Sequence, residues 1–101
     1  MTVAKAISDV LSEYMDQCAR YKKEESAENN STRGDLIVLQ FDCGDLELFR
    51  NTLKYNREKI ESRVHMMLKA EGINQAVSFD ELFFSPGADS NVTARVQFRV
   101  V

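Results

Sequence analysis

Within the C-terminal residues 91–101, polar and apolar side chains alternate as far as Val100. The apolar residues fall on one side of the pattern, and Arg95, Gln97 and Arg99 fall on the other. Because side chains on a β-strand point to opposite faces with a period of two, this pattern predicts a strand. One face of that strand is expected to be buried, and the other to face water or a partner.

The N-terminal part of the chain follows a different period, with apolar residues at steps of three and four. The residues of this apolar stripe are Val3, Ile7, Val10, Leu11, Tyr14, Cys18 and Tyr21. Such spacing is typical of an amphipathic helix, and it predicts one from Thr2 to about Lys23. The polar segment 22–34 follows, with Ala27 as its single small apolar residue. We expect this segment to be a flexible loop, because it has little to bury.

The central part begins with a predicted strand over Leu36 to Phe41, whose run of four apolar residues indicates a central position in the sheet. The next residues, 42–45, allow two interpretations. In one, they form a hairpin turn before a second strand over 46–50, and a helix begins near Asn51. In the other, Asp45 caps a long helix that runs to Glu71. We favour the long helix because its apolar stripe continues from residue 46 to 53 without a change of period.

Gly72 marks the end of this helix, because it stands at the C′ position, where a left-handed backbone conformation is common. Ile73 would then contact Leu68, as in a Schellman cap. A rougher strand follows from Ala76 to Phe84, and a bulge near residues 80–81 would restore its broken alternation.

Two further signals concern this last region. Ser78 and Glu81 match a capping box, so a helical turn is the alternative to a bulged strand. Residues 85–90 have the composition of a turn, which would join this strand to the final one as an antiparallel hairpin.

The order of elements predicts a single α+β domain over residues 1–101. We expect a small, mainly antiparallel sheet of three or four strands. The N-terminal helix and the long central helix would cover one face of this sheet, and the chain would finish in a C-terminal β-hairpin.

The composition excludes several classes of function. A net charge of −3 is too mild for a DNA mimic and has the wrong sign for a general polyanion binder. The longest apolar run, 36–39, is far shorter than the roughly 20 residues of a membrane span. Charges interrupt residues 1–15, so they do not resemble a signal peptide. We therefore expect a cytoplasmic protein in which Cys18 and Cys43 are reduced.

No arrangement typical of catalysis, of cofactor binding or of metal binding is visible in the sequence. His65 is the only histidine, and no nucleophile or carboxylate stands near it in a catalytic pattern. Asp42, Cys43 and Asp45 crowd one turn, but they lack the spacing of a calcium loop. Cys18, Cys43 and the single histidine are too few for a structural zinc site. We expect no catalytic residue, no cofactor and no metal, and therefore not an enzyme.

Basic residues offer a nucleic-acid-binding interpretation. The candidate residues are Arg50, Lys54 and Arg57 on one face of the long helix, and Arg95 and Arg99 on the last strand. Glutamates interleave with the helical row, and Glu58 and Glu61 are expected to form surface ion pairs with their basic neighbours. On the outward side of the strand, no aromatic residue lies between Arg95 and Arg99, which weakens a base-stacking role. Nucleic-acid binding is therefore the alternative to the protein-binding function described next.

Apolar residues in excess of what one covered face can bury favour protein binding instead. The candidate anchors are Met66, Met67, Phe83 and Phe84, with Arg95, Gln97 and Arg99 around them. We expect a non-enzymatic protein–protein interaction module, such as a small inhibitor, adaptor or assembly component. We also expect a homodimer, formed through helices or through the edge of the last strand.

Overall fold

A computed structural model describes residues 1–25, 36–87 and 91–101 of the chain. Its elements are α1 (Val3–Met15), β1 (Ala19–Glu25), β2 (Leu36–Cys43), α2 (Leu46–Ala70), β3 (Val77–Pro86) and β4 (Val92–Val100). The strands form one antiparallel sheet in the order β1-β2-β4-β3, and both helices pack on the same face of it. The predicted α+β class is confirmed, as is the C-terminal hairpin of β3 and β4.

The N-terminal helix begins as predicted but ends much earlier. The Thr2 hydroxyl accepts a hydrogen bond from the Lys5 backbone N–H at 3.1 Å, which caps the first turn. The prediction that the helix runs to Lys23 is wrong, because it ends at Met15 and β1 follows. Tyr21 instead packs edge-on against Phe41 of β2, with ring centroids 5.4 Å apart. Tertiary pairing has overridden a spacing that also fitted a helix.

The start of the predicted polar loop also needs correction. Lys22 and the three residues after it belong to β1, where Glu25 pairs with Val38 of β2. The remainder of the predicted loop, residues 26–34, lies outside the described residues.

The long central helix is confirmed, and the alternative strand over 46–50 is wrong. The Asp45 side chain accepts the Leu48 N–H at 3.0 Å and so fixes the first turn. At the other end, the Ile73 N–H donates to the Leu68 carbonyl at 2.8 Å, and Gly72 adopts a φ of 76°. This is the predicted Schellman cap.

Strand β3 contains the predicted bulge, since its register with β4 shifts between Phe79 and Glu81. The alternative helical turn is wrong. The bulge sets which side chains of β3 face the helices. Those that pack toward the core are Val77, Phe79, Leu82 and Phe84. Of the predicted turn 85–90, Ser85 and Pro86 belong to β3, and residues 88–90 lie outside the described residues.

The position of β4 contradicts one of the two predicted ways of forming a dimer. Strand β4 pairs with β2 on one side and with β3 on the other. Its edges are therefore occupied, and the prediction of a homodimer through the edge of the last strand is wrong. Strand β2 is central, as its apolar run predicted.

The core lies between the helices and the sheet. Phe41, Phe49 and Phe98 are the largest fully buried side chains, and Phe41 meets Phe49 at 5.7 Å between ring centroids. Helix α1 lies against β1 and β2, whereas α2 lies against β3. None of the helices in the described ranges is both long and apolar enough to cross a membrane.

The cap at Gly72 generates the first prediction. We expect Gly72→Ala to lower the free energy of unfolding by about 1 kcal/mol, because a Cβ is strained at positive φ. A Cβ at this site would meet no atom within 4 Å, so the loss reports backbone strain alone. Gly44→Ala is the matched control, since its Cβ would lie 3.8 Å from the nearest atom, the Cys18 oxygen. Urea denaturation measures both variants, and equal stabilities would contradict the prediction.

Candidate functional site

A groove lies between helix α2 and strand β3, on the helix-covered side of the sheet. Its volume is about 670 Å³. Arg50, Leu53, Lys54 and Arg57 line it from α2, and Phe79, Asp80, Glu81, Leu82 and Phe84 line it from β3. We call this feature the α2–β3 groove.

The base of the α2–β3 groove is apolar and firmly supported by the core. Leu53 is buried, whereas Leu82 is half-buried and leaves part of its surface open to the groove. The half-buried Phe84 ring packs edge-on against Phe49 at 6.2 Å, and Phe79 packs in the same way against Phe98 at 5.8 Å. Such contacts hold the rings in fixed positions, so the apolar base is preformed.

Cations lie along the helix side of the groove. The Arg50 guanidinium lies 5.9 Å from the centroid of Phe84, and that of Arg57 lies 5.6 Å from the centroid of Phe79. Arg57 also forms an ion pair with Glu61 at 3.2 Å. Among the described residues, no carboxylate lies within ion-pair distance of Arg50 or Lys54. The groove therefore combines an apolar base with two positive charges that are not neutralised by a described side chain.

The strand side of the groove has two carboxylates, and one of them is already engaged. Asp80 accepts a hydrogen bond from the Gln97 amide and lies 3.6 Å from the Arg99 guanidinium. Glu81 is exposed. The positive charge of Arg50 and Lys54 is thus not matched by a direct ion pair across the groove.

Strand β3 is an edge strand, and one part of its free edge is capped by a side-chain pair. The Phe79 N–H donates to Glu61 Oε2 at 2.6 Å, and the Phe79 carbonyl accepts from Arg57 Nη2 at 3.4 Å. Together these side chains bind the donor and the acceptor that a neighbouring strand would use. We call this arrangement the Arg57–Glu61 cap.

The remaining free edge is short. Because the backbone groups of Phe79 point away from β4, alternation along the ladder directs those of Leu82 and Phe84 to the same side. No described side chain caps them as the Arg57–Glu61 cap does Phe79. Pro86 is the next residue whose backbone points to this side, but proline has no N–H that could donate a hydrogen bond. Between the Arg57–Glu61 cap and Pro86, the open edge of β3 therefore spans residues 82–84.

The predicted anchors do not form one surface. Met66 is 68% exposed on α2, whereas Met67 is half-buried against the core. Phe83 is 45% exposed on the uncovered face of the sheet, and Phe84 lies in the groove on the opposite face. The structure brings Phe84 together with Arg50, and it separates both from Met66 and Phe83.

The predicted polar residues of β4 lie on the uncovered face and are engaged with other strands. Arg95 contacts Glu25 of β1 at 3.1 Å and the Ser85 hydroxyl of β3 at 2.9 Å. The same Glu25 oxygen accepts from the Gln40 amide of β2 at 3.1 Å. We call this chain of four side chains the transverse network.

The basic residues proposed for nucleic-acid binding lie on two opposite faces. Arg50, Lys54 and Arg57 line the α2–β3 groove, whereas Arg95 and Arg99 lie on the uncovered face and pair with carboxylates. These five residues do not form one continuous basic surface.

Sequence reasoning missed two parts of the groove. The helical stripe predicts that Leu53 is buried, but it does not indicate that Leu53 forms the base of the groove. Glu61 forms an ion pair with Arg57, as the spacing predicts, whereas nothing in the spacing indicates its hydrogen bond to Phe79. The spacing of Arg57 and Glu61 was the available signal, and it did not identify the strand that they cap.

The described residues contain no group of three or more His, Cys, Asp or Glu side chains that could hold a metal ion. His65 is exposed on α2. Cys18 and Cys43 are free and buried. Burial, with smaller contributions from the Cys43 thiol and the Asp45 and Asp16 carboxylates, raises the pKa of the Cys18 thiol to about 11. Burial likewise raises the pKa of Cys43.

No protein-family model, no curated protein and no solved structure that was compared with this chain matches it.

The raised thiol pKa values lead to a prediction about reactivity. At pH 8 we expect native Cys18 to react with iodoacetamide about two orders of magnitude more slowly than an ordinary exposed cysteine, because little thiolate forms. Intact-mass measurement over time tests this, with the urea-unfolded chain as the control. Equal rates in the native and unfolded chain would contradict it.

The Arg57–Glu61 cap leads to a third prediction. We expect Glu61→Ala to destabilise the fold by about 1 kcal/mol, because the Phe79 N–H loses its acceptor. Hydrogen exchange at the Phe79 amide should also become faster. Glu58→Ala is the matched control, since it removes an exposed carboxylate from the same helix. If both variants unfold at the same urea concentration and exchange alike at Phe79, the cap has no stabilising role.

Proposed function

We propose that this chain is a non-enzymatic protein-binding module that holds a segment of a partner protein in the α2–β3 groove. The role would be that of a small inhibitor, adaptor or assembly component in the cytoplasm. The supporting observation is the combination of a preformed aromatic base with Arg50 and Lys54, for which no described carboxylate serves as ion-pair partner. Pockets of this kind, apolar with a few convergent polar groups, are typical binding sites.

The groove favours a partner segment that presents both apolar groups, such as the methylene groups of its side chains, and carboxylates. Apolar groups on the partner would cover Leu82 and Phe84, which the free chain leaves half-buried. Carboxylates would meet Arg50 and Lys54 at the helix side. Arg50 is already positioned over the Phe84 ring, so less side-chain entropy is lost when it binds an acidic group.

Nucleic acid fits the structure less well. Its candidate residues lie on two faces, and Arg57, Arg95 and Arg99 each pair with a carboxylate of the chain. A polyanion would have to displace these carboxylates, and the net charge of −3 would oppose its approach.

A second copy of the chain also fits the groove poorly. Antiparallel pairing of two β3 edges would set two α2 helices side by side, with Arg50 and Lys54 of each copy facing those of the other. Like charges brought together in this way repel. The homodimer stays a prediction, to be tested by the mass of the native particle in solution.

A matched pair of charge-reversal variants tests the proposal. We expect the double variant Arg50→Glu and Lys54→Glu to lose a partner that the wild-type chain captures from its source cells. The matched control reverses two exposed lysines of the same helix outside the groove, Lys59→Glu and Lys69→Glu. The affinity of the purified partner should fall about tenfold or more in the groove variant and remain within a few-fold in the control.

Three results would overturn the proposal. The first is equal binding of the partner by the wild-type chain and both variants, with circular dichroism showing that all are folded. The second is a salt-sensitive complex with DNA or RNA that only the groove variant loses, which would favour the nucleic-acid function. The third is a homodimer in solution that only the groove variant loses, which would make the second copy the occupant.

A further inference from the structure

We infer that the partner segment binds as an added β-strand, an extended acidic segment that pairs with the backbone of β3 only across residues 82–84. This inference rests on the proposed function, because it states how the α2–β3 groove holds its partner. Strand addition is a common mode of peptide recognition, in which main-chain hydrogen bonds give affinity and side-chain pockets give specificity.

The length of the available edge is set by the chain itself. At one end, the Arg57–Glu61 cap already binds the backbone N–H and carbonyl of Phe79. At the other end, Pro86 offers no N–H. Between these limits, Leu82 and Phe84 direct their backbone groups outward, which suits a short strand and stops a long one.

The two edges of the sheet differ in a way that favours β3 as the site. The opposite edge strand, β1, is exposed and rich in charged residues, with the sequence ARYKKEE. Charged side chains, especially lysines, discourage pairing at an edge. Residues 82–84 of β3 are Leu, Phe and Phe, and they form an apolar edge that has no lysine.

The register of β3 indicates the pattern of the partner. Directly opposed residues of paired strands share a face. Partner residues opposite Leu82 and Phe84 would therefore point into the groove, where their methylene groups would cover Leu82 and Phe84 and their carboxylates would reach Arg50 and Lys54. The residue between them would lie over Phe83, which is 45% exposed on the uncovered face. The expected segment thus alternates acidic and apolar residues, with the acidic ones on the groove side.

The direction of the hydrogen bonds gives a sharp test. We take the added strand to be antiparallel, as all strand pairs of the described sheet are. In such a pairing, the partner residues opposite Leu82 and Phe84 are the ones that would exchange backbone hydrogen bonds with them. Their own N–H groups face β3, whereas the N–H of the intervening residue faces water. N-methylation of the groove-side residues should therefore block binding, and N-methylation of the intervening residues should not.

The probe is a blocked peptide of seven residues in which glutamate and valine alternate, with glutamate at both ends. Its controls are the same peptide with lysine in place of glutamate, and two versions N-methylated at either the glutamates or the valines. Binding to the full chain is followed by NMR with amide hydrogen exchange. With nine-tenths of the protein bound, we expect exchange at Leu82 and Phe84 to slow about tenfold.

The expected result is that the glutamate peptide and its valine-methylated version bind, and that the lysine and glutamate-methylated versions do not. The Arg50→Glu and Lys54→Glu variant should lose binding, and the Lys59→Glu and Lys69→Glu variant should keep it. Equal binding by both methylated peptides overturns strand addition. Loss confined to the valine-methylated peptide overturns antiparallel pairing with the acidic residues in the groove, and unchanged exchange at Leu82 and Phe84 overturns the inference altogether.

Failure of this inference is distinguishable from failure of the proposed function. If the cellular partner requires Arg50 and Lys54 but leaves exchange at Leu82 and Phe84 unchanged, the groove binds it without strand addition. If that partner binds the charge-reversed groove variant normally, the proposed function itself is wrong, whatever the peptides do.

Discussion

Backbone hydrogen bonds at the edge of a sheet need partners, and the structure depends on how its two edge strands meet that need. The order β1-β2-β4-β3 makes β1 and β3 the edges of the described sheet. Strand β1 has a charged sequence, whereas β3 has the Arg57–Glu61 cap at Phe79 and a proline at its end. Because the cap comes from α2, the same helix that builds the core also decides how much of β3 stays open.

Much of the fold could be predicted because local signals agreed with tertiary packing. Asp45 and Gly72 marked the ends of α2 through capping chemistry that acts within a few residues. The bulge at Asp80 followed from a broken alternation. The prediction for residues 16–25 is wrong because Cys18 and Tyr21 continue the helical spacing, whereas residues 19–25 pair with β2, beyond the reach of a local pattern.

The candidate site was only partly predictable, for a related reason. The basic row on α2 could be read from its helical spacing, and the excess of apolar residues on β3 was also visible. What joined them was the packing of α2 along β3, which no local pattern encodes. Likewise, the pairing of Arg95 with Glu25 joins residues far apart in sequence, so a strand that looked basic is in fact neutralised.

The transverse network has a consequence for the uniqueness of the fold. Glu25, Gln40, Arg95 and Ser85 contribute one side chain from each of the four strands, and Gln40 is only 7% exposed. If any one strand slipped by a single residue, its polar member would turn toward the apolar interior and the others would lose their partner. Pairing errors thus incur an electrostatic penalty as well as a steric one, and this combination selects a single alignment of all four strands.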